Sequence, residues 1–114
     1  MTLSEKQAAF CGAITQLIDW TIREQHDGHW YRVRFGHALR CEECPIGMKT
    51  SLHKQRLAVD LILDKEVNDK WIYQRNTEAY RFMGEEWEQL DEKAAWGGHF
   101  NDGNHFSFAH GGRK

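Results

Sequence analysis

Asp60 is the residue of this sequence whose chemistry most needs an explanation. It lies in the most apolar run of the chain, residues 57–63 (LAVDLIL). An ionised carboxylate in such a run is destabilising unless it is paired, hydrogen-bonded or bound to a metal. Two interpretations of Asp60 are equally consistent with the run: a metal ligand, or a carboxylate on the solvent face of a one-sided sheet.

Two histidines could complete a metal site with Asp60. His53 precedes it by seven residues, which corresponds to about 23 Å along a straight strand or about 10.5 Å along a helix. Both side chains could therefore bind one ion, at about 2 Å from each, only if the chain bends back around residues 54–56. The spacing alone does not establish a shared metal.

The second histidine, His105, lies in residues 96–106 (WGGHFNDGNHF), three positions after Asp102. Gly103 between them permits a tight turn. This spacing suits a ligand histidine beside a carboxylate that acts as a general base, although ordinary turn chemistry explains the same segment. Two histidines and one aspartate would leave the fourth tetrahedral position open, as in a catalytic zinc site.

Taken together, these segments resemble the zinc D-Ala-D-Ala carboxypeptidases and L-alanyl-D-glutamate peptidases, a family that includes VanY-type enzymes and many bacteriophage endolysins. Residues 51–61 (SLHKQRLAVDL) are similar to its S-x-H-(x)6-D signature. Residues 96–98 (WGG) and 102–106 (DGNHF) are similar to W-G-G followed by [DE]-x-x-H-F. Residues 31–40 (YRVRFGHALR) look like the stretch that ends in the family's arginine. The resemblance runs from about residue 5 to 108.

The resemblance implies one Zn²⁺ bound by His53, Asp60 and His105, with Asp102 as the general base. In such enzymes zinc acidifies a water molecule and polarises the scissile carbonyl. Asp102 would take the water proton and pass it to the leaving amine.

Three further roles follow from the same resemblance. Arg40 would stabilise the oxyanion of the tetrahedral intermediate or hold a substrate carboxylate. Ser51 would hydrogen-bond the substrate backbone, and Trp96 would form a wall of the cleft, with a core position as the alternative. The chain departs from many relatives at Arg56, where they have glycine, and at Asn104, where they have proline. Neither departure removes a ligand.

The implied function is that of a zinc metallopeptidase, of endolysin type, that cuts an L-Ala-D-Glu or D,D bond in bacterial peptidoglycan. Its partner would be the peptidoglycan stem peptide. The alternative is a non-catalytic, zinc-stabilised binding module of the same fold, as relatives in signalling proteins are thought to be. Asp102 favours the enzyme, because a non-catalytic descendant could lose the base and keep the ligands. Which bond is cut, and whether the protein is a phage lysin or a bacterial wall enzyme, stay open.

Composition excludes several other classes of protein. The net charge of −2, without a basic run, argues against nucleic acid as a partner. No apolar stretch approaches the roughly 20 residues of a membrane span, and no signal peptide is visible at the N-terminus. Because no signal peptide is visible, we expect the protein to be made in the bacterial host cytoplasm and to act on the cell wall after release. We also expect it to be a monomer.

Cys41 and Cys44 are the main competing signal. With His37 they could form part of a structural zinc site, but a closed site needs four ligands and no second C-x-x-C exists. We interpret them as two loop thiols close enough to oxidise. Among the other histidines, His99 lies nearest the proposed centre, either in contact with substrate or on the surface.

The elements that must position these residues predict a small α+β domain over residues 1–114, with a flexible tail from about 109. These elements predict two main helices on a short, mainly antiparallel sheet, and the family resemblance implies that this architecture is Hedgehog/DD-peptidase-like. Helical spacing predicts the first helix over 4–25, capped by Ser4 and Gln7. Alternation predicts strands over 30–35, 57–63, 71–73 and 105–108, with a loop over 36–48. A second helix would start at Asn76 or Thr77.

This arrangement also predicts which face of the second strand is buried. Its apolar positions should pack on the first helix and leave Asp60 facing the cleft. The residues involved are Leu57, Val59, Leu61 and Leu63 on the strand, and Phe10, Ile14 and Leu17 on the helix.

Overall fold

The computed structural model describes residues 2–36 and 57–110, in which two helices lie against a mainly antiparallel sheet of five strands. In chain order the elements are α1 (Leu3–Arg23), β1 (Tyr31–Phe35), β2 (Ala58–Val67), β3 (Lys70–Tyr73), α2 (Arg81–Leu90), β4 (Ala94–Trp96) and β5 (His105–Phe108). Two short 3-10 helices, Thr77–Tyr80 and Gly97–Phe100, precede α2 and follow β4. The predicted α+β class is confirmed.

Strand β2 organises the sheet, whose order is β1-β2-β5-β4. Strand β1 pairs along one edge of β2. The other edge is shared, because β5 pairs with residues 58–60 and β3 with residues 64–67. The ten-residue length of β2 is what allows two strands to use the same edge.

Tyr80 fills the gap between β3 and β5 on that shared edge. Its hydroxyl accepts a hydrogen bond from the Leu63 amide at 3.0 Å and donates one to the Gln74 carbonyl at 2.9 Å. Beside it, the Leu61 amide donates to the Asn104 carbonyl at 2.9 Å. These bonds satisfy β2 backbone groups that no strand reaches, and they fix the start of β5 beside the middle of β2.

The core lies between the helices and one face of the sheet. Trp87 of α2 is its centre: the indole ring stacks on Phe108 and meets Phe10 and Phe106 edge-on. Its Nε1 donates to the carbonyls of Ala95 and Ser107, so the one polar atom of this buried ring is satisfied.

The predicted buried face of β2 is confirmed. Its four apolar residues and their three helical partners belong to one continuous core cluster. All seven are buried: Phe10, Ile14, Leu17, Leu57, Val59, Leu61 and Leu63.

Several predicted boundaries were wrong. The capping box of α1 is formed by Thr2 and Glu5 instead of Ser4 and Gln7. The second helix begins as the 3-10 turn at Thr77 and becomes α-helical only at Arg81, and Asn76 makes no side-chain cap bond. Strand β2 extends to Val67, and the three-residue β4 was not predicted.

The described end of the predicted tail contacts the domain. The Ala109 amide donates to the Lys93 carbonyl at 2.8 Å, and Lys6 Nζ lies 2.9 Å from His110 Nδ1. Residues 111–114 and the predicted loop beyond Gly36 lie outside the described residues. Within the described ranges, no helix is both long enough and apolar enough to cross a bilayer.

Two helical glycines should respond in opposite directions to alanine. At Gly12 of α1 an added Cβ meets nothing within 4 Å, so Gly12→Ala should raise the free energy of unfolding by about 0.5–1 kcal/mol. At Gly84 of α2 the same atom would lie 2.1 Å from the Trp96 ring, so Gly84→Ala should lower it by about 1–3 kcal/mol. Urea unfolding of both variants measures the two effects, and stabilisation by Gly84→Ala would contradict the packing described.

Candidate functional site

The site is centred on Asp60 and His105, which face each other across β2 and β5. Asp60 Oδ1 lies 3.4 Å from His105 Nδ1, and their side chains are 13% and 16% exposed. Phe106 and Phe108 of β5 point into the core with Trp87, so the alternation of the strand directs His105 to the opposite face. Two of the three predicted zinc ligands are thus adjacent.

The separation of the two side chains fits a shared zinc ion. Two ligands of a tetrahedral zinc, each about 2.0–2.1 Å from the ion, lie about 3.3 Å apart. The 3.4 Å between Asp60 Oδ1 and His105 Nδ1 matches that spacing, and carboxylate oxygen and imidazole nitrogen are common zinc ligands. The distance between these two atoms is therefore the one that a shared zinc ion would need.

A glycine lies next to each residue of the Asp60–His105 pair, Gly36 beside Asp60 and Gly97 beside His105. Gly36 follows β1, and its amide donates to the Asp60 carbonyl at 2.7 Å. A Cβ at Gly36 would lie 3.3 Å from Asp60 Cβ, and one at Gly97 would lie 2.7 Å from His105 Cβ. Glycine at these two positions therefore lets the backbone pack closely against Asp60 and His105.

Backbone hydrogen bonds close the loop that carries Asp102. The Asp102 amide donates to the Gly97 carbonyl at 2.9 Å, and the His105 amide donates to the Asp102 carbonyl at 3.1 Å. Asn101 adopts the left-handed conformation with φ 60°, which asparagine tolerates better than most residues. The loop thus connects the proposed base to the proposed ligand through main-chain contacts.

The Asp102 side chain is exposed at the rim of a small polar cavity of about 130 Å³. Tyr73 and Arg75 line the same cavity, from the end of β3. A carboxylate in this position is accessible to water, as a general base must be.

Of the two interpretations of Trp96, a wall of the substrate cleft or a core position, the structure fits the core. Its side chain is 2% exposed, and its Nε1 donates to the Gly103 carbonyl at 2.7 Å. Gly84 and Gly98 leave room for the indole ring, since a Cβ at either would overlap it. Trp96 therefore supports the Asp102 loop from beneath.

His99 is engaged away from the pair. Its Nε2 lies 2.9 Å and 3.1 Å from the two carboxylate oxygens of Glu88, and Glu88 also accepts a bond from the Trp96 amide. The surface interpretation of His99 fits these contacts.

The remaining predicted site residues lie outside the described residues. They are Arg40, Ser51 and His53, together with Cys41 and Cys44 of the competing cysteine signal. Residues 2–36 and 57–110 contain no group of three or more metal-binding side chains. The Asp60–His105 pair is the part of the predicted ligand set that falls within them.

Sequence reasoning missed a charged cluster on the same face of the sheet. Asp64 of β2 is buried, with 2% of its side chain exposed. Arg34 donates to it from Nε at 2.8 Å and from Nη2 at 2.9 Å, and Arg32 donates from Nε at 2.7 Å. The hydrogen bonds from Arg34, followed by those from Arg32, hold the pKa of the Asp64 carboxyl below its ordinary value. Alternating arginines in 31–35 were the only sequence signal.

The lowered pKa predicts how Asp64→Asn should depend on pH. A carboxyl with a depressed folded-state pKa stabilises the fold above its unfolded-state pKa, about 3.9, and loses that contribution as pH falls through the folded value. Asp64→Asn should therefore lower the free energy of unfolding by about 1–3 kcal/mol at pH 7. The difference in unfolding free energy between the parent and this variant should become smaller below about pH 4. Urea unfolding from pH 7 to pH 3 measures this, and a gap independent of pH would contradict it.

No family model, curated protein or solved structure among those compared with this chain matches it.

Proposed function

We propose that this protein is a zinc-dependent peptidase that hydrolyses an L-Ala-D-Glu or D,D peptide bond of bacterial peptidoglycan, as an endolysin does. The observation that carries the proposal is the Asp60–His105 pair. The two residues are distant in sequence, belong to different motifs, and lie 3.4 Å apart at a partly buried position. A ligand pair that meets across two strands is what the motif resemblance requires.

In this proposal one zinc ion is held by His53, Asp60 and His105. When bound, zinc supplies a Lewis acid that polarises the scissile carbonyl and acidifies a water molecule. Asp102 accepts the proton of the attacking water and delivers it to the leaving amine. Arg40 stabilises the negative charge that develops on the carbonyl oxygen.

The position of the proposed base along the chain supports a hydrolase. The exposed carboxylate of Asp102 lies on the loop directly before His105. The protein would be made in the host cytoplasm and reach the wall after release.

The test uses the purified parent protein and defined muropeptides. Elemental analysis should give about one zinc per chain, and mass spectrometry of the digest should show one new amine terminus that identifies the bond. A protein that holds zinc and hydrolyses no muropeptide would instead be the non-catalytic binding module. A protein that binds no zinc would contradict both.

A further inference from the structure

The Arg32–Asp64–Arg34 cluster has donors that its own contacts do not use. Two guanidinium groups carry ten N–H groups, and Asp64 accepts three hydrogen bonds from them. Within the described residues, Arg32 donates to Asp64 from Nε, and its two terminal nitrogens take no part in that hydrogen bond. Each arginine side chain is 49% exposed. The buried carboxylate thus anchors two guanidinium groups whose outer edges reach solvent.

Aromatic rings of β3 hold these guanidinium groups in place. Arg32 lies over the Trp71 ring at 5.0 Å and Arg34 over the Tyr73 ring at 5.8 Å, while Arg75 approaches Tyr73 at 5.2 Å. Stacking and ion pairing both reduce the conformational freedom of an arginine before a ligand arrives. A pre-organised guanidinium binds a carboxylate at a smaller entropic cost than a free one.

The cluster lies on the same face of the sheet as the candidate zinc ligands. Asp60 and Asp64 are four residues apart on β2, which is about 13 Å along the strand, and their side chains point the same way. Tyr73 and Arg75 also line the polar cavity that contains Asp102. An extended peptide of about four residues would span the distance from the Asp60–His105 pair to the arginines.

The Arg32–Asp64–Arg34 cluster carries a positive charge. Its two guanidinium groups and one carboxylate leave one positive charge in a chain of net charge −2. Asp64 is ionised at neutral pH, since the carboxyl pKa, about 3.9 in an unpaired aspartate, is lowered further by the hydrogen bonds from Arg34 and Arg32. The complementary ligand is therefore an anion, and a planar carboxylate matches the terminal edge of a guanidinium.

We propose that Arg32 and Arg34, anchored by Asp64 and stacked on Trp71 and Tyr73, bind a carboxylate of the peptidoglycan stem peptide and so fix its register over the Asp60–His105 pair. This inference rests on the proposed function for the identity of the peptide. The two arginines bind substrate and take no part in the chemical step.

The experiment compares Arg32→Gln and Arg34→Gln with Arg23→Gln. Arg23 is the matched control because it pairs with Asp19 on the surface of α1, where its side chain is 70% exposed. The KM for a defined muropeptide should rise about 3- to 10-fold in Arg32→Gln and in Arg34→Gln, with kcat and zinc content unchanged. Arg23→Gln should behave like the parent.

Binding measured without turnover separates this inference from the proposed function. Chemical-shift titration of the parent with a synthetic stem peptide should be saturable, and it should weaken when the peptide carboxylates are amidated. The same weakening should appear with Arg32→Gln and the unmodified peptide. If the parent binds the stem peptide in this way but hydrolyses no muropeptide, the proposed peptidase function would be refuted and the carboxylate-binding inference would stand.

Three results would overturn the inference. The first is that the parent binds no stem peptide, and the second is that it binds the amidated and unmodified peptides equally. The third is tighter binding of a single-stranded oligonucleotide that depends on the same arginines, which would make the face a nucleic-acid surface.

Discussion

Asp102→Ala should keep its zinc and lose about 10²- to 10⁴-fold in peptidoglycan hydrolysis, the usual contribution of a general base. The zinc should stay because Asp102 is not among the proposed ligands. The loop should also stay, since Asp102 is tied to Gly97 and His105 through its amide and carbonyl, which alanine retains. The side chain is exposed, so its removal leaves no buried cavity. The measurements are zinc per chain and the rate of release of new amine termini.

Asp19→Ala is the control for the loss of a surface carboxylate, because Asp19 lies on α1 and pairs with Arg23. Its hydrolysis rate should equal that of the parent. Equal rates for Asp102→Ala and the parent would show that another residue is the base. His99 would be tested next by His99→Ala, although its contact with Glu88 already gives it a structural partner.

The first part of strand β2 was predictable because residues 57–63 form a short, nearly continuous apolar run, which is typical of a buried strand. The first residue of α1 was not predictable, and the first seven residues of the chain show why. Thr2 with Glu5 and Ser4 with Gln7 both satisfy the spacing of a capping box, so the local rule cannot choose between them. The structure uses the first pair, and the helix gains one residue at that end relative to the prediction. Strand β4, with the sequence Ala-Ala-Trp, is too short to show a period.

The candidate site also has features that the sequence predicted and features that it did not. The motifs identified Asp60 and His105, but the proximity of these two residues depends on the pairing of β2 with β5, which no local pattern specifies. For Trp96 the sequence left cleft wall and core as alternatives, because residue type does not show which side of a strand is buried. The Asp64 cluster was missed because its partners, Arg32 and Arg34, lie on another strand, and only the register brings them together.

Removal of a proposed metal ligand should have the other large effect, a loss of bound zinc. His105→Ala and Asp60→Ala should each lose zinc and hydrolysis together, and so should His53→Ala. Zinc content should fall from about one per chain to a small fraction of that, because three ligands and one open position leave no spare donor. His99→Ala is the matched control: this histidine lies in the turn that leads to β5 and pairs with Glu88, so its removal should leave zinc content unchanged.

Thermal unfolding with and without added zinc tests the same assignment independently of activity. A ligand that binds only the folded state, at 100 times its dissociation constant, stabilises by about 2.7 kcal/mol, which in a domain of this size raises Tm by roughly 10 °C. The parent and His99→Ala should show this rise, and His105→Ala and Asp60→Ala should not. Because each variant is compared with itself, any change in its intrinsic stability cancels. If His53→Ala and His105→Ala both retain their zinc, or if zinc is lost only from Cys41→Ser/Cys44→Ser, the metal site would be assigned to the two cysteines instead.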